Sequence, residues 1–249
     1  MNPVVSIITP AFNARRTVAQ AIESVQAQTF PHWEMVIVDD LSTDDTCSIV
    51  EAYVKADSRI RLLRQRINGG PACARNAGLK AAVGRYVAFL DSDDYWLPAK
   101  LERQLSFMMA NNAALSYTLY RRFADDIAEA GPLVGLPPSF TYEALLKNTG
   151  IACLTVMVDR ELAGVIEFPL IRHEDYALWL TLLKRGLVAY GLLEDLARYR
   201  VSNSSVSGNK LKSASWVWNI YRDGEKLSLP HAAWCFGNYA WNAYRRNRS

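Results

Sequence analysis

At 249 residues with 50% hydrophobic content, the chain can bury the core of one large domain or one and a half. Its formal net charge of +3 excludes a general polyanion-binding surface, but the charge is uneven: from Arg198 onward nine Lys and Arg face two acids, a local +7 that leaves the first 197 residues at −4. Neither a secretory leader, nor an apolar run near eighteen residues, nor a CxxC pair among Cys47, Cys73, Cys153 and Cys235 is seen, so free thiols in a cytoplasmic protein are expected.

The first hundred residues alternate strand and helix signals. "VVSIITPA" reads as a buried strand, "ARRTVAQAIESVQAQ" carries Val18, Ile22 and Val25 at helical spacing, and "EMVIVDD" is a second continuous apolar run. "STDDTCSIVEAYVKA" predicts a helix opened by a Ser/Thr cap with acids in its first turn. "IRLLRQ" is a shorter strand, "PACARNAGLKAAVG" a helix with Pro near its start and Gly at its end, and "YVAFL" a strand again. Continuous rather than alternating apolar strands imply a doubly wound, mainly parallel α/β sheet flanked by helices, with ligands at the carboxyl ends of the strands. Beyond Pro98 the regularity fades. "AKLERQLSFMMANN" reads as a helix, "LSYTLYRRF" as a strand, "EAGPLVGLPPSF" as a loop, "YEALLKN" as a short helix and "ACLTVMVDR" as a strand. "HEDYALWLTLLKRG" is a helix stopped by Gly, "VAYGLLEDLARYRV" is mostly strand, and a polar "SNSSVSGNK" precedes an aromatic, basic, helical tail.

The turn after the first strand narrows the choice of ligand. A dinucleotide-binding fold places G-x-G-x-x-G there, whereas this chain has "TPAFNARR", without a glycine. Instead, acids close two strands: Asp39-Asp40 after "EMVIV", and Asp91-Ser92-Asp93-Asp94 after "YVAFL". Such crowded carboxylates repel one another unless something positive joins them. A capping acid for the next helix would need only one of the three. With neighbouring strands, both clusters face one crevice, where carboxylates accept hydrogen bonds from a ribose or a base and a hard divalent cation finds oxygen ligands. An EF-hand is excluded, because the loop has no central Gly and no Glu at its twelfth position.

The ordered set "SIITPAFNA", "EMVIVDDLSTDDT", "NGGPACARNAGLKAAVGRYVAFLDSDD" and "HEDYALW" resembles family 2 of the inverting glycosyltransferases, which have the GT-A fold, over about residues 3–200. That resemblance implies a nucleotide-sugar-binding α/β part at 1–97, an acceptor-side part carrying the catalytic base at 98–205, and a basic aromatic tail at 206–249. It also implies that Thr9, Pro10, Ala11 and Asn13 line the base and ribose pocket, with Asp39 on the base edge, as suits uracil, and Asp40 beside it. By the same likeness Arg75 reaches the diphosphate or the base, Asp91 and Ser92 serve the ribose, and Asp93 holds Mn²⁺ or Mg²⁺, with Asp94 secondary. The pair Glu174-Asp175 matches the family's Glu-Asp helix start, with Asp175 as base. Relatives of this kind carry a metal-binding histidine shortly after a Tyr-Arg pair, where this chain has Ser202 and Asn203 after Tyr199-Arg200, so the third metal ligand is open. His173 and Trp179 read as a helix-start residue and a packing residue.

The expectation is therefore transfer of a sugar, from a UDP-sugar, to a lipid-linked acceptor in surface polysaccharide synthesis. A nucleotide-sugar hydrolase or pyrophosphorylase, or a non-catalytic scaffold of the same fold, are the rival readings. Between Trp216 and Tyr244 the tail holds four of the seven tryptophans. That composition suits either peripheral contact with the inner membrane through 216–248 or packing into the core or a dimer interface. No nucleic-acid module is recognised.

Overall fold

The computed structural model describes residues 2–124, 126–201 and 210–246. Three strands, Val5–Ala11 (β1), Trp33–Asp39 (β2) and Ile60–Arg64 (β3), pair in parallel, and Tyr86–Phe89 (β4) joins β1 on its other side, also in parallel. Helices Val18–Gln26 (α1), Thr46–Ala56 (α2) and Gly70–Ala81 (α3) are the crossovers. Val5, Ile7, Met35 and Ile37 pack with Val18, Ile22, Val25 and Val50 on one face, while Ile8, Val36 and Val38 pack with Ala74 and Leu79 of α3 on the other. Burial on both faces is why these strands read as unbroken apolar runs. Helix α3 lies unusually close to the sheet: a Cβ on Gly78 would stand 2.5 Å from Ile8 Cγ2, so only glycine fits there. This close approach sets the depth at which Arg75, on the same helix, meets the strand ends.

The second half adds Tyr95–Trp96 (β5), Lys100–Asn111 (α4), Leu115–Phe123 (β6), Leu133–Val134 (β7), Ser139–Phe140 (β8), Tyr142–Leu145 (α5), Met157–Asp159 (β9), Arg160–Ala163 (α6), Glu174–Lys184 (α7) and Ala189–Arg200 (β10). The strands form one sheet in the order β3-β2-β1-β4-β9-β6-β10-β5, with β7 on β6 and β8 on β10. β9 runs antiparallel between β4 and β6, and β10 is parallel only to β6. The parallel character is thus concentrated in the first ninety residues, and one sheet spans both sides of the 97/98 division.

Two local expectations are corrected. The acids before α2 do not lie in its first turn: the helix begins at Thr46, and Asp44 Oδ1 accepts the Thr46 amide at 3.0 Å while Oδ2 accepts the Arg15 amide at 3.2 Å. The Pro/Gly loop before α5 contains two two-residue strands, β7 and β8, that edge the sheet.

The tail forms Lys210–Asn219 (α8), a π turn over Ile220–Gly224 and Leu229–Arg246 (α9). Val217, Ile220, Tyr221, Ala232 and Cys235 join the core that contains α7. The Tyr221 and Tyr176 hydroxyls meet at 3.2 Å, and Glu225 accepts from Tyr142 at 2.7 Å and Lys184 at 2.8 Å. The inner aromatics of the tail are therefore packing residues, whereas Trp234 and Trp241 face outward. Among the described residues, no helix is long and apolar enough to cross a membrane.

Candidate active site

The ends of β1 and β2 are level, with Ala11 beside Asp39, and Ile8 of β1 is beside Phe89 of β4. Continuing the second register by two residues sets Asp91 level with Pro10. The sequence expectation of one crevice takes β2 and β4 as neighbours; β1 lies between them instead, and the two acidic clusters follow the carboxyl ends of the strands on either side of β1 and flank one crevice there. Thr9 and Ala11 are buried in its floor, and Pro10 is half-buried. Asp39 is buried as well: Oδ2 accepts the Ser42 amide at 3.1 Å, while Oδ1 has no hydrogen-bond partner, and neither has Thr9 Oγ1. A buried acceptor left unmet costs on the order of 1–3 kcal/mol, which a ligand N–H or O–H would recover. The Cys47 thiol is pushed up by burial and by the neighbouring Asp39 carboxylate.

Asn13 and Asp40 act through the loops. Asn13, in the left-handed region at φ 49°, accepts the Thr43 amide on Oδ1 at 2.8 Å and donates its own amide to Ser42 Oγ at 2.9 Å. Its side chain thereby fastens the loop after β1 to the loop after β2. Asp40 accepts the amides of Gly69 at 2.9 Å and Gly70 at 2.7 Å, one on each oxygen, and so holds the entry to α3. Gly70 has φ +80°, a conformation that favours glycine. Replacing both bonds by nothing, in Asp40→Ala, should lower stability by about 1–2 kcal/mol. Asp40→Asn, which keeps one acceptor, should fall between the two; urea melts of the three proteins would show it.

Arg75 links the two halves of the crevice. Its side chain is 5% exposed; Nη2 meets Asp91 Oδ1 at 2.5 Å and Nη1 meets Glu174 Oε1 at 2.7 Å. The guanidinium lies 5.3 Å over the Phe168 ring, and its neighbour Asn76 exchanges two 2.8 Å hydrogen bonds with the Phe168 backbone. Positions 75, 91 and 174, far apart in sequence, are one charge chain in space.

Among the described residues no salt bridge is made to Asp93 or Asp94, although the nearby Arg200 charge opposes the upward shift of both. Asp94 is buried, accepts the Arg200 amide at 2.9 Å, and is pushed well above the ordinary carboxylate range by burial and by Asp93 and Asp91. Asp93 is an exposed residue whose carboxyl is pushed up to about 6 by the protein packed around it and then by Asp91. Arg200 clamps this loop but spends its guanidinium on the carbonyls of Asp93 and Ala124, both at 2.8 Å, and on Gln20. Among the described residues no three His, Cys, Asp or Glu are grouped to hold a metal. The excess negative charge around Asp93 fits a divalent cation that takes its other oxygens from a bound ligand. Ser202 and Asn203 lie outside the described residues, as does any ligand they supply. Ser92 is half-buried in the same turn.

Asp175 sits at the start of α7, with Oδ1 on its neighbour's amide, Tyr176 N, at 2.7 Å. Burial and the adjacent Glu174 charge push its carboxyl up to about 6. The residue before the pair, His173, adopts φ 58°, uncommon for a side chain of that size, with Nε2 buried and without a partner and its ring edge-on to Trp216 at 5.4 Å. Trp179 is fully buried against Phe89 and Phe168, as a packing residue.

Sequence reasoning missed the structural hub Arg200, because its role depends on partners that no local pattern announces, whereas His173, read as a helix-start residue, does cap α7, its left-handed backbone angle being the part that no pattern announces. It also passed over Phe12, half exposed directly after β1, which a sequence reading alert to apolar residues at loop tips would have noted.

Residues 6–156 match the glycosyl transferase family 2. The chain is 50% identical over 245 residues to TuaG of Bacillus subtilis strain 168, whose name describes a glycosyltransferase of teichuronic acid biosynthesis; the match covers 98% of this chain and 97% of that one. It is 43% identical over 224 residues to the Escherichia coli protein WfgD, named as a UDP-Glc:alpha-D-GlcNAc-diphosphoundecaprenol beta-1,3-glucosyltransferase, covering 88% and 86%. Among solved structures, S. aureus TarS 1–349 in complex with UDP-GlcNAc superposes with a TM-score of 0.71 at 20% identity, over 96% of this chain and 72% of that one. The Pyrobaculum calidifontis mannosyltransferase PcManGT, with GDP-Man and Mn²⁺, gives 0.70 at 16% identity, over 100% and 76%.

Proposed function

The chain belongs to glycosyl transferase family 2 and is a glycosyltransferase, and from that membership we propose an inverting enzyme that moves a sugar from a UDP-sugar to a hydroxyl of a lipid-linked oligosaccharide in surface polysaccharide synthesis. The observation that carries the site assignment is the Asp91–Arg75–Glu174 chain, which ties the donor end of the crevice to the residue next to Asp175. Support for the acceptor class comes from relatives whose names place them on diphosphoundecaprenol carriers or in teichuronic acid synthesis.

In this reading Asp39 Oδ1 accepts the N3–H of uracil, and Asp91 accepts from the ribose. Arg75 holds Asp91 and Glu174 in place, and Glu174 in turn sets the position of Asp175. The Asp175 carboxylate takes the proton of the acceptor hydroxyl as that oxygen bonds to the anomeric carbon. The bond to the diphosphate breaks on the opposite face, its electron pair leaving with the nucleoside diphosphate, so an α-linked donor gives a β-linkage. A divalent cation, held through Asp93, would supply Lewis-acid stabilisation of the departing diphosphate.

The test is calorimetric titration with UDP, with and without Mn²⁺, followed by CDP, GDP and dTDP. UDP should bind preferentially and with metal dependence, and Asp93→Ala should remove that dependence by at least about tenfold in affinity. Equal affinity for all four nucleotides would overturn the uridine assignment, and unchanged Mn²⁺-dependence in Asp93→Ala would remove that residue from the metal.

A further inference from the structure

The last helix, α9, is apolar on both sides. Inward, Ala232 and Cys235 are fully buried and Phe236 meets Trp218 edge-on at 5.5 Å. Outward, Pro230, Ala233, Trp234, Gly237, Ala240 and Trp241 recur at spacings of three and four, which makes one stripe along the helix. Trp234 is 64% and Trp241 61% exposed, and between them lies an open cleft of about 270 Å³. A helix on the surface of a globular domain ordinarily turns charge outward. This stripe contains no charged residue, and the tail that holds it is net basic in sequence: residues 210–249 hold seven Lys or Arg against two acids, Asp223 and Glu225.

We propose that this face of α9 seats the protein on an anionic lipid bilayer, with the Trp234 and Trp241 indoles at the level of the headgroups and with Lys226 toward lipid phosphates. Indoles are suited to that depth because one edge is apolar and the other donates a hydrogen bond. Charge argues for the bilayer over a second copy of the chain. A two-fold interface would press two net-basic tails against each other, whereas an anionic leaflet attracts a net-basic tail.

The placement also serves the site, an aspect that rests on the lipid-linked acceptor proposed above. Helix α9 is fixed to α5 and the segment after it, with His231 at 3.6 Å from Glu143 of α5 and Asn242 donating to the Lys147 carbonyl at 2.9 Å. Its partner α8 puts Trp216 against His173, the residue before the Glu174-Asp175 pair. The seated face and the assigned base therefore belong to one helical block, so the block that meets the headgroups also carries the residue that meets the acceptor.

The experiment is co-sedimentation of the full chain with vesicles of phosphatidylglycerol and phosphatidylcholine, or of phosphatidylcholine alone, at low and high salt. The anionic vesicles should bind the protein, with a blue shift of indole emission, and high salt should weaken binding. The Trp234→Ser/Trp241→Ser variant should bind at least about tenfold less, and Trp234→Gln alone should show an intermediate loss with the fold least disturbed. Light scattering of the same proteins reports self-association, and UDP titration reports the donor site. No binding to anionic vesicles, binding unchanged in the double variant, or a dimer that the variant dissolves would each overturn the proposal. UDP affinity that stays at wild-type level in these variants keeps a failure here separate from a failure of the donor assignment.

Discussion

Asp175→Asn should bind UDP within about twofold of wild type and yet turn over roughly 10²–10⁴ times more slowly, the range expected when a positioned general base is removed. The amide is nearly the size of the carboxylate and can still accept the Tyr176 amide, so the start of α7 should persist. What it cannot do is take a proton. The pH profile supplies an independent check. The Asp175 carboxyl is pushed up to about 6, by burial first and by Glu174 second, and only its ionised form is a base. The rate for wild type should therefore be flat above about pH 6 and fall about tenfold per unit below it, and the residual rate of Asp175→Asn should lack that limb. A loss below tenfold, or an acid limb that survives the substitution, would move the base elsewhere.

The second large effect is expected at Arg75. Arg75→Ala removes a buried cation from between Asp91 and Glu174 and leaves two partly buried carboxylates without compensation, a change of about 3–5 kcal/mol. For a chain of this length that corresponds to a melting temperature lower by roughly 10 °C. Arg75→Lys should be little better, since one ammonium cannot hold two carboxylates on opposite sides as the guanidinium fork does. Adding Glu174→Gln to Arg75→Ala should restore part of the stability and none of the turnover. Calorimetric melts of these variants check the effect. Wild-type stability in Arg75→Ala would mean that the pairs contribute nothing net.

The legible parts of this molecule are those whose physics is local. β1, β2 and β4 announce themselves because burial on both faces makes most of their residues apolar, and the acids after β2 and β4 are conspicuous because they come in clusters at the strand ends, unlike the single buried Glu34 inside β2. The Asp91 and Asp93 positions are visible for that reason and through the likeness to a known family, and Asp175, at a helix start, through that likeness. Asp40 and Asn13 show the limit. Both stand in the expected loops, but their partners are loop amides and hydroxyls some thirty residues away, and no spacing rule reveals that their side chains hold backbone. Glu174 reads as half of an acidic pair until Arg75, 99 residues earlier, is seen to hold it. The antiparallel strand β9 is legible as a strand, but its direction depends on the route taken by the connection before it. β7 and β8, at two residues each, are too short for a periodicity.

The Arg200 clamp also bears on the order in which the protein is made. The parallel half can close as soon as its own ninety residues have been synthesised, because β1 to β4 pair among themselves. The acid loop after β4 gains its clamp only with β10: the Arg200 amide reaches back 106 residues to Asp94, and its guanidinium 180 residues to Gln20. Contacts of such sequence separation form late and slowly. A nascent chain that stops short of residue 200 therefore has the partners of its parallel half in hand while the acid loop after β4 still lacks the Arg200 clamp.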